Sequence, residues 1–307
     1  MTVFQLYKKR DFSAFMNDTL QFFKLYWKNY YRNYVVINGA LLLLMCVLYF
    51  SVFKDLLKNL YTPNITDGSW LTNTTNPTLF AGGMLLFIVV SIALTVFSTA
   101  FPMIYLKLLK PKEENRITSS DIFNELKNYA GRMILLGLIS FFVMIPLGII
   151  AMAICLALSF LIIGIPMLML ALPTFIVWSM QSMYIYLEEG TPYFSALGKG
   201  WKITFEKYWH VVGSTMVVFL FIMIISSLFN MAPAMMQLTS IFTSGGHPEA
   251  ITVTPIMTAI YIIGMIFAFF ANNILYIQQG LVYYSSQENS ANYQAFSEIE
   301  NIGNDEA

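Results

Sequence analysis

His210 and His247 are the two imidazoles of a 307-residue chain, and imidazole is where a metal site or a general base near neutral pH would start. They lie at opposite ends of one apolar block, His210 directly after Lys207-Tyr208-Trp209 and His247 in SGGHPEA. A shared metal is therefore not expected, since a structural zinc takes about four ligands gathered in one place. Cys46 and Cys155 both fall inside apolar blocks, where a thiol packs as a small apolar group and implies neither a disulfide nor redox chemistry. No nucleophile elbow, phosphate loop, HExxH or paired-cysteine motif occurs. The apolar blocks contain no Asp, Glu, Lys or Arg, so the positioned acids, bases and nucleophiles of an enzyme are missing. No catalytic, cofactor-binding or metal-ligating residue is assigned, and a non-enzymatic protein without a cofactor is expected.

The polar groups left inside the apolar blocks are amides and hydroxyls, chiefly Gln181, Asn272, Asn273, Gln278 and Gln279. Two readings stay open for them. They can join helices through hydrogen bonds worth about 0.6 kcal/mol each in lipid, or they can line a polar cleft for a neutral solute or a lipid headgroup. Proton coupling or a charged substrate would normally require an ionisable group there.

The elements that carry these residues follow from composition. With 57% hydrophobic and 11% charged residues and a mean hydropathy of +0.64, the chain lies outside the soluble range. Crossing a bilayer takes about 20 apolar helical residues, and the uncharged blocks Tyr34–Phe53, Leu79–Leu106, Met133–Leu187, Val211–Met231 and Ile251–Tyr284 are all long enough. The third would extend roughly 80 Å as one helix, so it must fold back. Ser159, Gly164 and Pro166 place the turn within Leu158–Pro166. Six helical spans result, because transmembrane β-strands would alternate apolar and polar residues.

All but Lys54 and Lys58 of the 17 basic residues fall on one side of these spans, which puts both termini in the cytoplasm under the positive-inside rule. Net charge is zero, and nucleic acid is not an expected partner. The stretch 288–307 holds Glu288, Glu298, Glu300, Asp305 and Glu306 without a basic residue, and reads as a disordered cytoplasmic tail.

A repeat underlies the pattern. Phe12–Trp27 matches Phe194–Trp209 without gaps at six of sixteen positions, including Tyr26-Trp27 with Tyr208-Trp209. Large residues recur at helical spacing in both, at Phe12, Phe15, Phe23 and Tyr26 and at Phe194, Leu197, Trp201 and Phe205. Each copy reads as an amphipathic helix in the headgroup region, anchored by its Tyr-Trp pair, after which the chain turns into the bilayer. Thr191-Pro192 is the expected N-cap and first-turn proline of the second copy. A weaker copy starts at Thr118. The ends of the even spans also align, Gln181 opposite Gln279 and Tyr186 opposite Tyr284. The expected architecture is an all-α integral membrane protein, a single membrane domain over 1–287. It is built as three units (about 11–110, 117–189 and 191–286), each an interfacial helix followed by two spans.

A basic-aromatic helix containing KYW before a span, repeated in three units, resembles the membrane domain associated with some glycerophosphodiester phosphodiesterases. The opening YKKRDFSAF…FF is similar to that of related six-span bacterial inner-membrane proteins of uncharacterised activity. The resemblance implies a bacterial inner-membrane location and no catalytic residues, since phosphodiester chemistry in such proteins belongs to a separate soluble domain. Scaffolding or assembly of other membrane proteins is the function expected first. The alternative is lipid handling, or transport of a neutral or amphipathic solute. Expected partners are anionic headgroups on the cytoplasmic face and other membrane proteins.

Overall fold

A computed structural model describes residues 4–53, 77–109, 117–160, 164–243 and 255–291. Within them the chain forms seven α-helices: α1 (Phe12–Leu48, ending in a π-helical turn at Tyr49–Phe53), α2 (Pro77–Leu109), α3 (Ser119–Ser159), α4 (Gly164–Glu188), α5 (Tyr193–Glu206), α6 (Tyr208–Thr243) and α7 (Pro255–Ala291). All but α5 are long and apolar enough to cross a membrane. The chain is an all-α, multi-pass membrane protein. α3 ends at Ser159 and α4 begins at Gly164, inside the Leu158–Pro166 stretch in which the sequence places the fold-back. Pro102, Pro146 and Pro173 lie inside α2, α3 and α4, and Pro233 lies inside α6. His247, the segment with Lys54 and Lys58, and most of the acidic tail lie outside the described residues. The helix of α7 runs on to Ala291 and Glu288 is buried within it, so the tail begins later than residue 288.

Local chemistry explains the helix starts. At α3, Thr118 and Asp121 form a reciprocal capping box: the Asp121 N–H donates to Thr118 Oγ1 and the Thr118 N–H to the Asp121 carboxylate. The α4–α5 corner uses Gly190 at φ 73°, a conformation open to glycine at little steric cost. Pro192, not Thr191, is the residue at the N-cap of α5, and no side chain caps it; the Thr191 hydroxyl turns back to the Ile185 carbonyl instead.

The expected turn from interfacial helix into span occurs in only one copy. α1 and α3 carry both parts in one uninterrupted helix. Between α5 and α6 the helix breaks at Lys207, with φ −132° and ψ 56°. Lysine is as good a helix former as Leu25, its counterpart in α1, so residue type does not cause the break. Packing of α5 does. Its buried face is Tyr193, Ala196, Leu197, Gly200 and Thr204, a row of mostly small residues that allows close approach to α4.

The buried faces also correct the expected aromatic stripes. In α1 the core-facing residues are Phe15, Thr19, Phe22, Tyr26 and Tyr30, while Phe12 is exposed. In α5 the rings of Phe194, Trp201 and Phe205 are exposed and the small residues point inward. One copy buries its aromatics and the other exposes them. In both, the tyrosine of the Tyr-Trp pair turns inward and the tryptophan outward. Tyr26 packs on Phe4 and Phe22, and the Tyr208 hydroxyl lies 2.9 Å from Thr174 Oγ1. Trp27 and Trp209 are 52% and 66% exposed.

The described residues fall into two compact units. One takes those within Met1–Asn33, Thr99–Leu220 and Asn273–Ala307, the other those within Tyr34–Ser98 and Phe221–Asn272. In the second, the Tyr34 hydroxyl lies 3.0 Å from Ser98 Oγ and 3.4 Å from the Phe269 carbonyl it donates to. A Cβ on Gly83 would meet Val52, and one on Gly264 would meet Phe229, so both glycines serve close helix approach. Gly82 meets nothing and plays no such part.

Candidate functional site

The first unit holds most of the polar residues singled out in the sequence. Gln181 of α4 and Gln279 of α7 are fully buried and bonded directly: Gln181 Nε2 donates to the Gln279 carbonyl at 3.0 Å and to its Oε1 at 3.3 Å. Gln279 Nε2 donates to Thr215 Oγ1 of α6 at 2.8 Å, and that hydroxyl donates to the Val211 carbonyl at 2.7 Å. The chain of bonds joins three helices at one level. It can exist because α7 comes close at the next residue, where a Cβ on Gly280 would meet Leu106 and the Tyr184 hydroxyl.

The other amides do not join it. Gln278 is buried with Nε2 at 3.8 Å from the Met16 sulfur, and its Oε1 has no partner among the described residues. Asn273 accepts from the Tyr30 hydroxyl at 2.7 Å. Asn272 belongs to the second unit and is half-buried. Tyr186 and Tyr284, aligned in the sequence, are both buried: the Arg132 guanidinium lies 4.7 Å over the Tyr186 ring, and the Tyr284 hydroxyl donates to Glu188 at 2.6 Å.

Gln279 both donates and accepts in the chain, whereas the Gln181 Oε1 is buried without a partner among the described residues. Gln279→Leu should therefore cost about 1–2 kcal/mol and Gln181→Leu less than about 1 kcal/mol, because losing an unsatisfied buried oxygen offsets a lost bond. Thermal melting of the two variants in detergent checks the order; a larger loss at Gln181 would refute the assignment.

Sequence reasoning missed an ionic lock. The strap before α1 has no regular structure, yet Phe4 and Leu6 are buried and Tyr7 meets Tyr284 edge to face. Arg10 holds it. Its side chain is fully buried, with Nε 2.8 Å from Asp18 Oδ2, Nη1 donating to the Leu6 and Lys8 carbonyls and Nη2 to that of Gln5. Its backbone N–H donates to Ser285 Oγ of α7. Burial lowers the Arg10 pKa from its ordinary value and Asp18 acts against the shift; an arginine starts so high that it stays charged. A signal was present, since Asp18 lies three residues after Phe15 and four before Phe22 on the buried stripe. A carboxylate at such a position calls for a cation.

Beside the lock, Lys9, Arg10, Asp11, Ala14, Lys207 and His210 line a basin of ≈ 370 Å³. Lys9, Lys207 and His210 are exposed to it. The α1 and α6 N-termini meet there, where the Phe12 ring lies against Gly213, with room for an added Cβ only at 3.4 Å. No group of three or more His, Cys, Asp or Glu able to hold a metal occurs among the described residues. No protein-family model, curated protein or solved structure matches the chain.

Proposed function

We propose that the protein is a non-enzymatic scaffold or assembly partner for other membrane proteins, in a bacterial inner membrane with both termini cytoplasmic. The observation that carries this reading is the contrast between a core in which Gln181, Gln279 and Asn273 join helices and a helix, α3, left largely uncovered. In the most apolar window of α3 only 11% of residues are buried, against 39% in α4. Phe141, Phe142, Ile145 and Ile149 are exposed along it. Lipid covers such a face adequately, and so does a helix of another protein, since association in lipid needs only packing and a few polar contacts. The separate helix α5, together with the aromatic starts of α1 and α3 that run unbroken into their spans, supports a broad membrane-surface platform. Crosslinking in native membranes followed by mild-detergent purification should return a membrane protein in fixed ratio to this chain. A chain recovered alone would count against scaffolding.

Lipid handling is the second reading, favoured by the basic basin between the strap and α6.

A further inference from the structure

We propose that the basin lined by Lys9, Lys207 and His210 binds a phosphate oxyanion, in the first instance the phosphodiester headgroup of an anionic lipid. The proposal deepens the lipid reading at one place, needs only the membrane setting, and holds whether or not the protein also scaffolds. Three features converge. The Lys9 and Lys207 side chains are exposed at the rim, where Lys207 Nζ also donates to Asn289 Oδ1 at 3.4 Å, a long exposed contact that an anion can replace, and His210 adds a third donor. Arg10 forms part of the wall, with its guanidinium committed to Asp18 and three carbonyls.

The N-termini of α1 and α6 lie at the same place; that of α1 is capped by Asp11, and that of α6 carries the lining residue His210. In α6 the first intrahelical donor is His210 N–H, bonded to the Lys207 carbonyl at 3.0 Å. The amides of Tyr208 and Trp209 thus belong to the first turn, where N–H groups and the helix dipole favour an anion. Asp11 is the one carboxylate among the lining residues, and its Oδ1 accepts the Ala14 N–H at 2.8 Å as the cap of α1. The basin keeps a positive balance. It is an open basin of ≈ 370 Å³, which a headgroup can enter from outside. Trp209 beside it is exposed, in the position of a ring that would accompany the glycerol region of the lipid.

The full chain in neutral detergent, incubated with phosphatidylglycerol or phosphatidylcholine and observed by native mass spectrometry, should retain phosphatidylglycerol preferentially. In detergent only residues that meet the phosphate directly contribute, and each such contact should be worth about fivefold in retention, the order of one basic residue at an anionic surface. Lys9→Gln/Lys207→Gln should thus lose roughly 25-fold in phosphatidylglycerol retention, while Lys24→Gln/Lys28→Gln, which removes the same charge from α1, should lose much less. If 10 mM inorganic phosphate, used as a probe at about that concentration, raises the melting temperature of wild type but not of the basin variant, and no lipid preference is seen, the oxyanion is free phosphate and the site stands. Equal losses in the two double variants, or neither a lipid preference nor a phosphate shift, overturn it. Should the double variant not melt cooperatively, Lys9→Gln alone should show the fivefold loss. Partner recovery is read separately, so failure of scaffolding and failure of this site are distinguishable.

Discussion

Asp18→Ala is expected to destabilise the protein by about 3 kcal/mol, among the largest effects of any single substitution outside the spans' apolar faces. The reason is what it leaves behind. Arg10 has no exposed side-chain surface, so without its carboxylate a guanidinium remains buried with three carbonyl acceptors and no counter-charge. Removing one partner of a buried pair typically costs about 3–5 kcal/mol, and the surviving carbonyl bonds place this case at the lower end. Lys8 also reaches Asp18, at 3.1 Å, but it is 42% exposed. Solvent screens that contact, and Lys8→Met should change stability by less than about 1 kcal/mol. Arg10→Met should do less harm than Asp18→Ala, because Asp18 keeps Lys8. Thermal melting in detergent, with proteolysis of the strap as a second readout, checks the order. If Asp18→Ala melts with wild type, the strap is not held by this pair.

The contrast between this lock and the spans shows what the sequence made legible. A bilayer demands about 20 apolar residues per crossing, so the six spans and the turn near Ser159 could be placed from composition alone, and aligning the even spans brought out Gln181 and Gln279, which bond to each other. The strap carries no periodicity, and Lys8-Lys9-Arg10 entered only as part of the basic excess on one side of the spans, because nothing local distinguishes the buried arginine from its neighbours. The direction in which α5 faces was illegible for a related reason. Large aromatics at helical spacing look like a core stripe, but in a membrane the outside is apolar too, so the rings of Phe194, Trp201 and Phe205 can face lipid while Ala196, Gly200 and Thr204 face protein. In water the hydrophobic effect would have made that assignment correct; in lipid, small residues mark the packed side.

Gly200→Ala tests that inversion directly and should cost about 2 kcal/mol. A Cβ there would lie 2.9 Å from the Ser182 backbone nitrogen and 3.1 Å from its Cα, with the Ser182 hydroxyl closer still. A backbone cannot rotate away as a side chain can, so α5 would have to lift from α4. Two contacts resist this: Trp178 Nε1 donates to the Leu197 carbonyl at 2.9 Å, and the Trp178 ring meets Trp201 edge to face at 5.4 Å. Overpacking of this kind costs about 1–3 kcal/mol, against which alanine's better helix propensity returns up to about 1 kcal/mol. Gly198→Ala is the matched control, since nothing lies within 4 Å of its added Cβ, and it should leave stability unchanged or slightly raised. The lift would also carry Lys207, at the C-terminal end of α5, away from Lys9. Gly200→Ala should therefore weaken phosphatidylglycerol retention although no charge has changed, and Gly198→Ala should not. If the two alanines behave alike in melting, the small-residue face of α5 is not the packed one and the rings of Trp201 and Phe205 must take that role.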